Sequence, residues 1–206
     1  MSAAAWQAAS LLLCYPDRGL YERCPMLRDA VAAGAMPAPA ARRLAAFLDH
    51  LDATPLDRLG EHYVETFDLR RKCCLYLTYY RDGDTRRRGA SLAALKERYR
   101  AAGVELDSRE LPDFLPIVLE FAALHGGDEL LAEHRAGLEL LRFALADRES
   151  PYALVVEAVC ATLPGPSPRD RAEAMRLARS GPPAETVGIG PGADLGLVPV
   201  SMEGPR

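Results

Sequence analysis

Leu111-Pro-Asp-Phe-Leu-Pro-Ile-Val-Leu-Glu-Phe-Ala-Ala-Leu124 is the stretch on which the reading of this 206-residue sequence turns. Two prolines frame a turn, and an apolar run with a single carboxylate, Glu120, follows it. Asp113 is placed to cap a helix over 114–125, with Pro116 tolerated in its first turn. Gly126-Gly127 ends that helix. Glu120 sits amid Val118, Leu119 and Phe121, so it belongs either at the rim of a groove or in solvent. Phe114, Leu115 and Leu119 suit a core or the wall of a groove for a partner helix.

Upstream, Thr54-Pro55-Leu56-Asp57 reads as a helix start. Thr54 is the expected cap, and Pro55 occupies the first helical position. Leu56, Leu59, Tyr63 and Phe67 then recur at helical spacing. Residues 73–80, Cys-Cys-Leu-Tyr-Leu-Thr-Tyr-Tyr, have the aromatic, alternating character of a strand. No second strand-like run exists to pair with it, and a lone strand leaves its backbone unsatisfied. Helix is therefore expected there. Arg81 to Arg88 reads as a charged loop, and a helix over 88–101 carries Leu92, Leu95 and Tyr99 inward and stops at Gly103.

Periodicity predicts further helices over 3–14, 20–33 and 39–52 on the N-terminal side. On the C-terminal side it predicts 129–147 behind Asp128, then one from Ser150-Pro151 to Leu163, and a short one near 169–179. Residues 181–206 hold six glycines and five prolines with little apolar pattern, which predicts a flexible tail after a single helical domain over 1–180. The expected fold is all-α, one bundle of about eight helices.

Hydrophobic residues make up 49% of the chain, charged residues 26%, and the net charge is -4. This balance is that of an ordinary globular protein and argues against one built to coat nucleic acid. The apolar run Trp6–Leu13 lacks a basic region before it and is too short to cross a bilayer, so it reads as a core helix. A cytoplasmic protein without membrane insertion is expected. Five cysteines at 14, 24, 73, 74 and 160 form no Cys-x-x-Cys pair, and reduced, packed thiols are the expectation. None of His50, His62, His125 and His134 has a glutamate three residues earlier or a histidine at i+4, so no metal site is expected. Gly188-Ile-Gly190-Pro-Gly192 lacks the strand, helix and spacing of a phosphate loop. No motif supports a hydrolase.

The basic runs Arg70-Arg71-Lys72 and Arg86-Arg87-Arg88 weigh more. Seven basic residues within 70–88 could hold phosphate or nucleic acid, which leaves a helical nucleic-acid-binding or regulatory module as the second functional reading. Glu65, Asp68, Asp82 and Asp84 lie among them, and a solvated, ion-paired surface is the plainer expectation.

Tyr63-Val-Glu-Thr-Phe-Asp68, Arg87-Arg-Gly-Ala-Ser-Leu92 and Leu106-Asp-Ser-Arg-Glu-Leu-Pro-Asp-Phe-Leu-Pro116, with Leu119-Glu120, resemble the NarJ family of nitrate reductase assembly chaperones. That family lies within the TorD/DmsD group of helical redox-enzyme chaperones. The likeness runs from about residue 5 to 163 and is strongest over 56–124. Phe114 stands where many relatives have a histidine, so no role of that imidazole carries over, and the C-terminal part is Gly/Pro-rich and short, so functions placed there in relatives are not carried over either. The resemblance implies a TorD-like, non-enzymatic chaperone without a cofactor of its own. Its partner would be the N-terminal segment of the nitrate reductase catalytic α subunit, with molybdenum cofactor biosynthesis proteins as further partners. It would keep the apoenzyme open for molybdenum cofactor insertion and delay membrane docking. A peptide groove is then expected, walled by Tyr63, Phe67, Leu77, Tyr80, Phe114, Leu115 and Leu119. Asp113 and Glu120 are the expected charge partners for client lysine or arginine.

Overall fold

The computed structural model describes residues 2–106 and 110–180. Among the described residues the protein is all-α, with eleven helices: α1 (Ser2–Leu12), α2 (Arg18–Ala32), α3 (Ala38–Ala53), α4 (Leu56–Tyr63), α5 (Leu77–Asp82), α6 (Arg86–Ala101), α7 (Leu115–His125), α8 (Asp128–Glu133), α9 (Arg135–Ala146), α10 (Tyr152–Cys160) and α11 (Arg171–Ser180). The expected tail over 181–206 and Asp107-Ser108-Arg109 of the quoted motif lie outside the described residues.

Helices that are apolar on most sides take the middle. α1 packs most extensively on α7, and α10 lies across α3, α9 and α1. Phe47, Leu48 and Leu51 of α3 meet them from one side, and Leu138, Leu141 and Leu145 of α9 from another. Each such leucine or phenylalanine, fully buried, contributes about 1.5–3 kcal/mol through the water it sheds. Two polar ties fix α1 in place: Trp6 Nε1 donates to Thr162 Oγ1 at 2.8 Å, and Ser10 Oγ donates to the Pro116 carbonyl at 2.7 Å. Asp17 caps α2, its carboxylate accepting from Leu20 N at 2.8 Å, and Pro25 faces solvent within that helix.

Local expectations fail along the backbone at four places, besides the cap expected of Asp113. Thr54 does not start α4; its hydroxyl donates to the His50 carbonyl at 2.7 Å and so finishes α3 instead. Tyr63 does not continue regularly into Phe67, because Val64–Asp68 widens into a π-helical turn. The helix expected over 129–147 breaks at His134 into α8 and α9, although the stripe of Leu131, Leu138 and Leu141 is unbroken.

The fourth is residues 73–80. Only Leu77 onward is helical; Arg71–Cys73 forms a 3-10 turn and the chain then extends. Tyr76 forms an antiparallel bridge with Phe114. Leu77 N donates to Asp113 O at 3.0 Å and Leu115 N to Leu75 O at 2.7 Å. The missing pairing partner is the Pro-Asp-Phe-Leu-Pro turn itself. Tyr99 anchors that turn from α6, its hydroxyl donating to the Pro112 carbonyl at 2.7 Å.

Candidate functional site

Asp113 sits at the centre of this pairing with its side chain 0% exposed. One carboxylate oxygen accepts from Thr78 N at 3.2 Å and from Thr78 Oγ1 at 2.5 Å. Arg88 reaches the same oxygen at 3.5 Å, donates through Nε to Thr78 Oγ1 at 3.2 Å, and lies over the Tyr76 ring at 5.7 Å. Asp113 therefore caps the first turn of α5, not its own helix; Phe114 holds the cap position of α7 with no side-chain bond. The other Asp113 oxygen has no hydrogen-bond partner in the structure, and none of the carboxylate faces solvent. The expected client contact at Asp113 is enclosed.

The expected groove wall divides in the same way. Tyr63, Phe67, Leu77, Leu115 and Leu119 are buried core. Tyr63 packs edge-on to Tyr15 and Tyr152 and donates to the Leu13 carbonyl at 3.0 Å, and burial pushes its phenol far up. Leu115 and Leu119 lie in α7, on which α1 packs most extensively, and Tyr63 and Phe67 pack on the Tyr152 ring. Leu77 lines a separate cleft with Tyr80 between α5 and α9, so the five form no common wall. Phe114 is half-buried against the Tyr76 ring, centroids 5.6 Å apart. The Tyr80 hydroxyl lies 3.1 and 2.9 Å from the carbonyls of Lys72 and Cys74, holding the 3-10 turn.

Glu120 is the fully exposed member of the expected set and faces an open depression. That groove, about 390 Å³, runs between the outer face of α7 and the chain leaving α6. Val104, Leu106, Ile117 and Phe121 supply an apolar floor, with Leu124, 66% exposed, at the mouth. Phe121 is braced from below by Tyr99, centroids 4.5 Å apart, and stacks on His125 at 5.1 Å. Glu105, Glu110 and Glu120 line the rim. Glu110 accepts from the Tyr76 hydroxyl at 3.0 Å; burial and then this bond push that phenol up to about 12. Burial and then the Glu120 carboxylate push the Cys14 thiol up, which puts Glu120 also near the end of α1.

An apolar floor beneath several carboxylates suits an amphipathic, basic segment. Val104, Leu106, Glu105 and Glu110 escaped the sequence reading, although Gly103 signalled them. Its left-handed turn, with Val104 N donating to Tyr99 O at 2.9 Å, folds residues 104–106 back beside α7.

The basic runs are partly spent on structure. Arg88 is committed to Asp113, Thr78 and Tyr76, Arg71 pairs with Asp84 at 3.9 Å, and Arg81 with Asp82 at 3.2 Å. All five cysteines are free thiols; Cys24, Cys73 and Cys160 are buried as expected and burial raises them, Cys74 is half-buried, and Cys14 is exposed, not packed. No cluster of three metal-ligating side chains occurs among the described residues. Nor is any described helix long and apolar enough to cross a membrane.

The family model for the nitrate reductase delta subunit matches residues 33–156. A Bacillus subtilis protein described as a nitrate reductase molybdenum cofactor assembly chaperone, NarJ, is 30% identical over 171 residues, covering 82% of this chain and 92% of that one. Escherichia coli K12 NarJ is 37% identical over 153 residues, covering 72% and 64%. The nitrate reductase-like protein NarX of Mycobacterium tuberculosis H37Rv is 40% identical over 161 residues. The chain spans only about a quarter of NarX, 24% of its length. A crystal structure of a redox enzyme maturation protein from Archaeoglobus fulgidus superposes with a TM-score of 0.59 at 19% identity, covering 78% of this chain and 93% of that one, and shows the shared fold. With more than half of its length under the family model and one relative matched over most of both chains, the chain belongs to the nitrate reductase delta subunit family, the family of NarJ.

Proposed function

We propose that the protein is the assembly chaperone of a respiratory nitrate reductase, a binding protein and not a catalyst, working in the cytoplasm. It binds the N-terminal segment of the apo catalytic α subunit, keeps it competent for molybdenum cofactor insertion, and delays membrane docking until loading is complete. Proteins that build the molybdenum cofactor are its further partners. The observation that carries this reading is the match to Bacillus NarJ across 82% of this chain and 92% of that one.

The groove beside Glu120 supports the binding half of the reading. Peptide recognition by a helical protein needs apolar anchors in a groove and a few charges to set orientation. Val104, Ile117 and Phe121 supply anchors for one face of a client helix, and Glu105, Glu110 and Glu120 accept from lysine or arginine on its other face. Co-purification with a tagged α subunit tests the role directly. Recovery of the chaperone with the full α subunit, lost when the first residues of that subunit are deleted, is expected. Equal recovery with the truncated subunit contradicts the reading.

A further inference from the structure

We infer that Glu110 is the fixed charge anchor of the groove beside Glu120 and that Tyr76 is its positioning residue, so that one client cation is gripped by a carboxylate set in place beforehand. The inference rests on the chaperone reading and deepens it, by saying which of the three rim carboxylates orients the client.

Three glutamates line the groove, and the fold holds one of them. Glu105 and Glu120 are exposed, and neither carboxylate is hydrogen-bonded to another described residue. Glu110 is half-buried, and its Oε1 accepts from two donors, the Tyr76 hydroxyl and Leu111 N, each at 3.0 Å. Two donors occupy Oε1, which leaves Oε2 as the oxygen that Glu110 offers to a ligand in the groove. Tyr76 is fixed in its turn. Its backbone bridges Phe114, and the bonds from Leu77 N to Asp113 O and from Leu115 N to Leu75 O flank that bridge. Its ring lies 5.6 Å from the Phe114 ring and 5.7 Å from the Arg88 guanidinium, which Asp113 and Thr78 hold from the other side. The hydroxyl therefore meets Glu110 from a rigid base, and the enclosed Asp113 network reaches the groove through it.

This arrangement sets what the client has to offer. A side chain already ordered loses no rotamer freedom when a ligand arrives, whereas Glu105 and Glu120 are ordered only by the ligand itself. Neutralising Glu110 therefore costs more affinity than neutralising Glu120. One free oxygen takes one N–H, so Glu110 suits a lysine ammonium or a single arm of an arginine. The two-pronged arginine–carboxylate pair needs both oxygens and is closed to it. The matching client is a segment whose apolar side chains lie on Ile117 and Phe121 while one lysine or arginine meets Glu110.

Calorimetric titration of the full chain tests this. The probes are a synthetic peptide of the α-subunit N-terminal segment and a neutral copy whose lysines and arginines are glutamine. Glu110→Gln removes the charge and keeps an acceptor for Tyr76 and Leu111 N. It should weaken the basic peptide about tenfold, against about twofold for Glu120→Gln. Tyr76→Phe keeps the ring and removes the hydroxyl. It should weaken the basic peptide about threefold, leave the neutral peptide unchanged, and cost nothing further once Glu110 is replaced. Changing the peptide's arginines to lysine should cost the wild type no more than it costs Glu110→Gln; a larger cost in the wild type overturns the one-oxygen contact. Equal losses at Glu110→Gln and Glu120→Gln overturn the inference, as does a Tyr76→Phe protein that binds both peptides more weakly by the same factor. A basic peptide weakened by Glu120→Gln alone overturns the inference and leaves the client reading standing. A basic peptide that does not bind the wild type overturns both.

Discussion

Asp113 and Glu120 stand seven positions apart in one segment and carry the same charge, yet the fold puts them to opposite uses. Asp113 is sealed beneath Tyr76, its one bonded oxygen shared by Thr78 and Arg88. Glu120 stands in solvent at the edge of an apolar groove. The difference lies in residues 75–88, which wrap the start of α7 and leave its outer face bare. A carboxylate enclosed and bonded inside the protein holds the fold; one held at a groove rim is available to a ligand.

That contrast can be broken experimentally, and the largest effect belongs to Asp113. Asp113→Ala leaves Arg88 and the first turn of α5 without their acceptor, and should cost about 3–5 kcal/mol in urea unfolding. A cost below about 1 kcal/mol would dissolve the distinction. The buried side should also sense acid. Burial, and then Arg81, lower the His134 imidazole to about 4, against 6.5 unfolded. The unfolded chain then binds the proton first, so stability is full above about pH 6.5 and falls as pH drops toward 4. The loss approaches about 3 kcal/mol over that window. Unfolding curves at pH 7 and pH 5 should show about 2 kcal/mol of it, and His134→Gln should remove that difference. Thr78→Val deletes the hydroxyl between Asp113 and Arg88 and should cost about 1–2 kcal/mol. Glu120→Lys should change stability by about 0.5 kcal/mol or less.

The helices of the bundle were legible because periodicity and end signals agree there. Trp6, Ala9 and Leu13, or Leu44, Phe47, Leu48 and Leu51, name their buried faces, and Gly103 and Gly126 end their helices in left-handed turns. Asp113 was misread because an aspartate before an apolar helix looks the same whether it caps that helix or a distant one. Its true partner, Thr78, lies 35 residues away. Residues 74–76 were misread for a related reason, since their pairing partner is a turn and turns carry no strand pattern. Tyr63, Phe67, Leu115 and Leu119 have the composition of a groove wall and of a core alike, and only tertiary packing decides between them: α1 against α7 for the leucines, the Tyr152 ring for Tyr63 and Phe67. Glu120 was legible as a carboxylate that stays outside the core because it is the single charge in an apolar helix. Its neighbours on the groove arrive from the chain after Gly103, which no helical period links to α7.

Calorimetric titration of the α-subunit N-terminal peptide into the wild-type protein and into Glu120→Lys measures the central claim most directly. The account predicts saturable binding to the wild type. For Glu120→Lys it predicts affinity lower by about tenfold or more, equivalent to about 1.4 kcal/mol, at an unchanged melting temperature. Equal affinity for both proteins would contradict it.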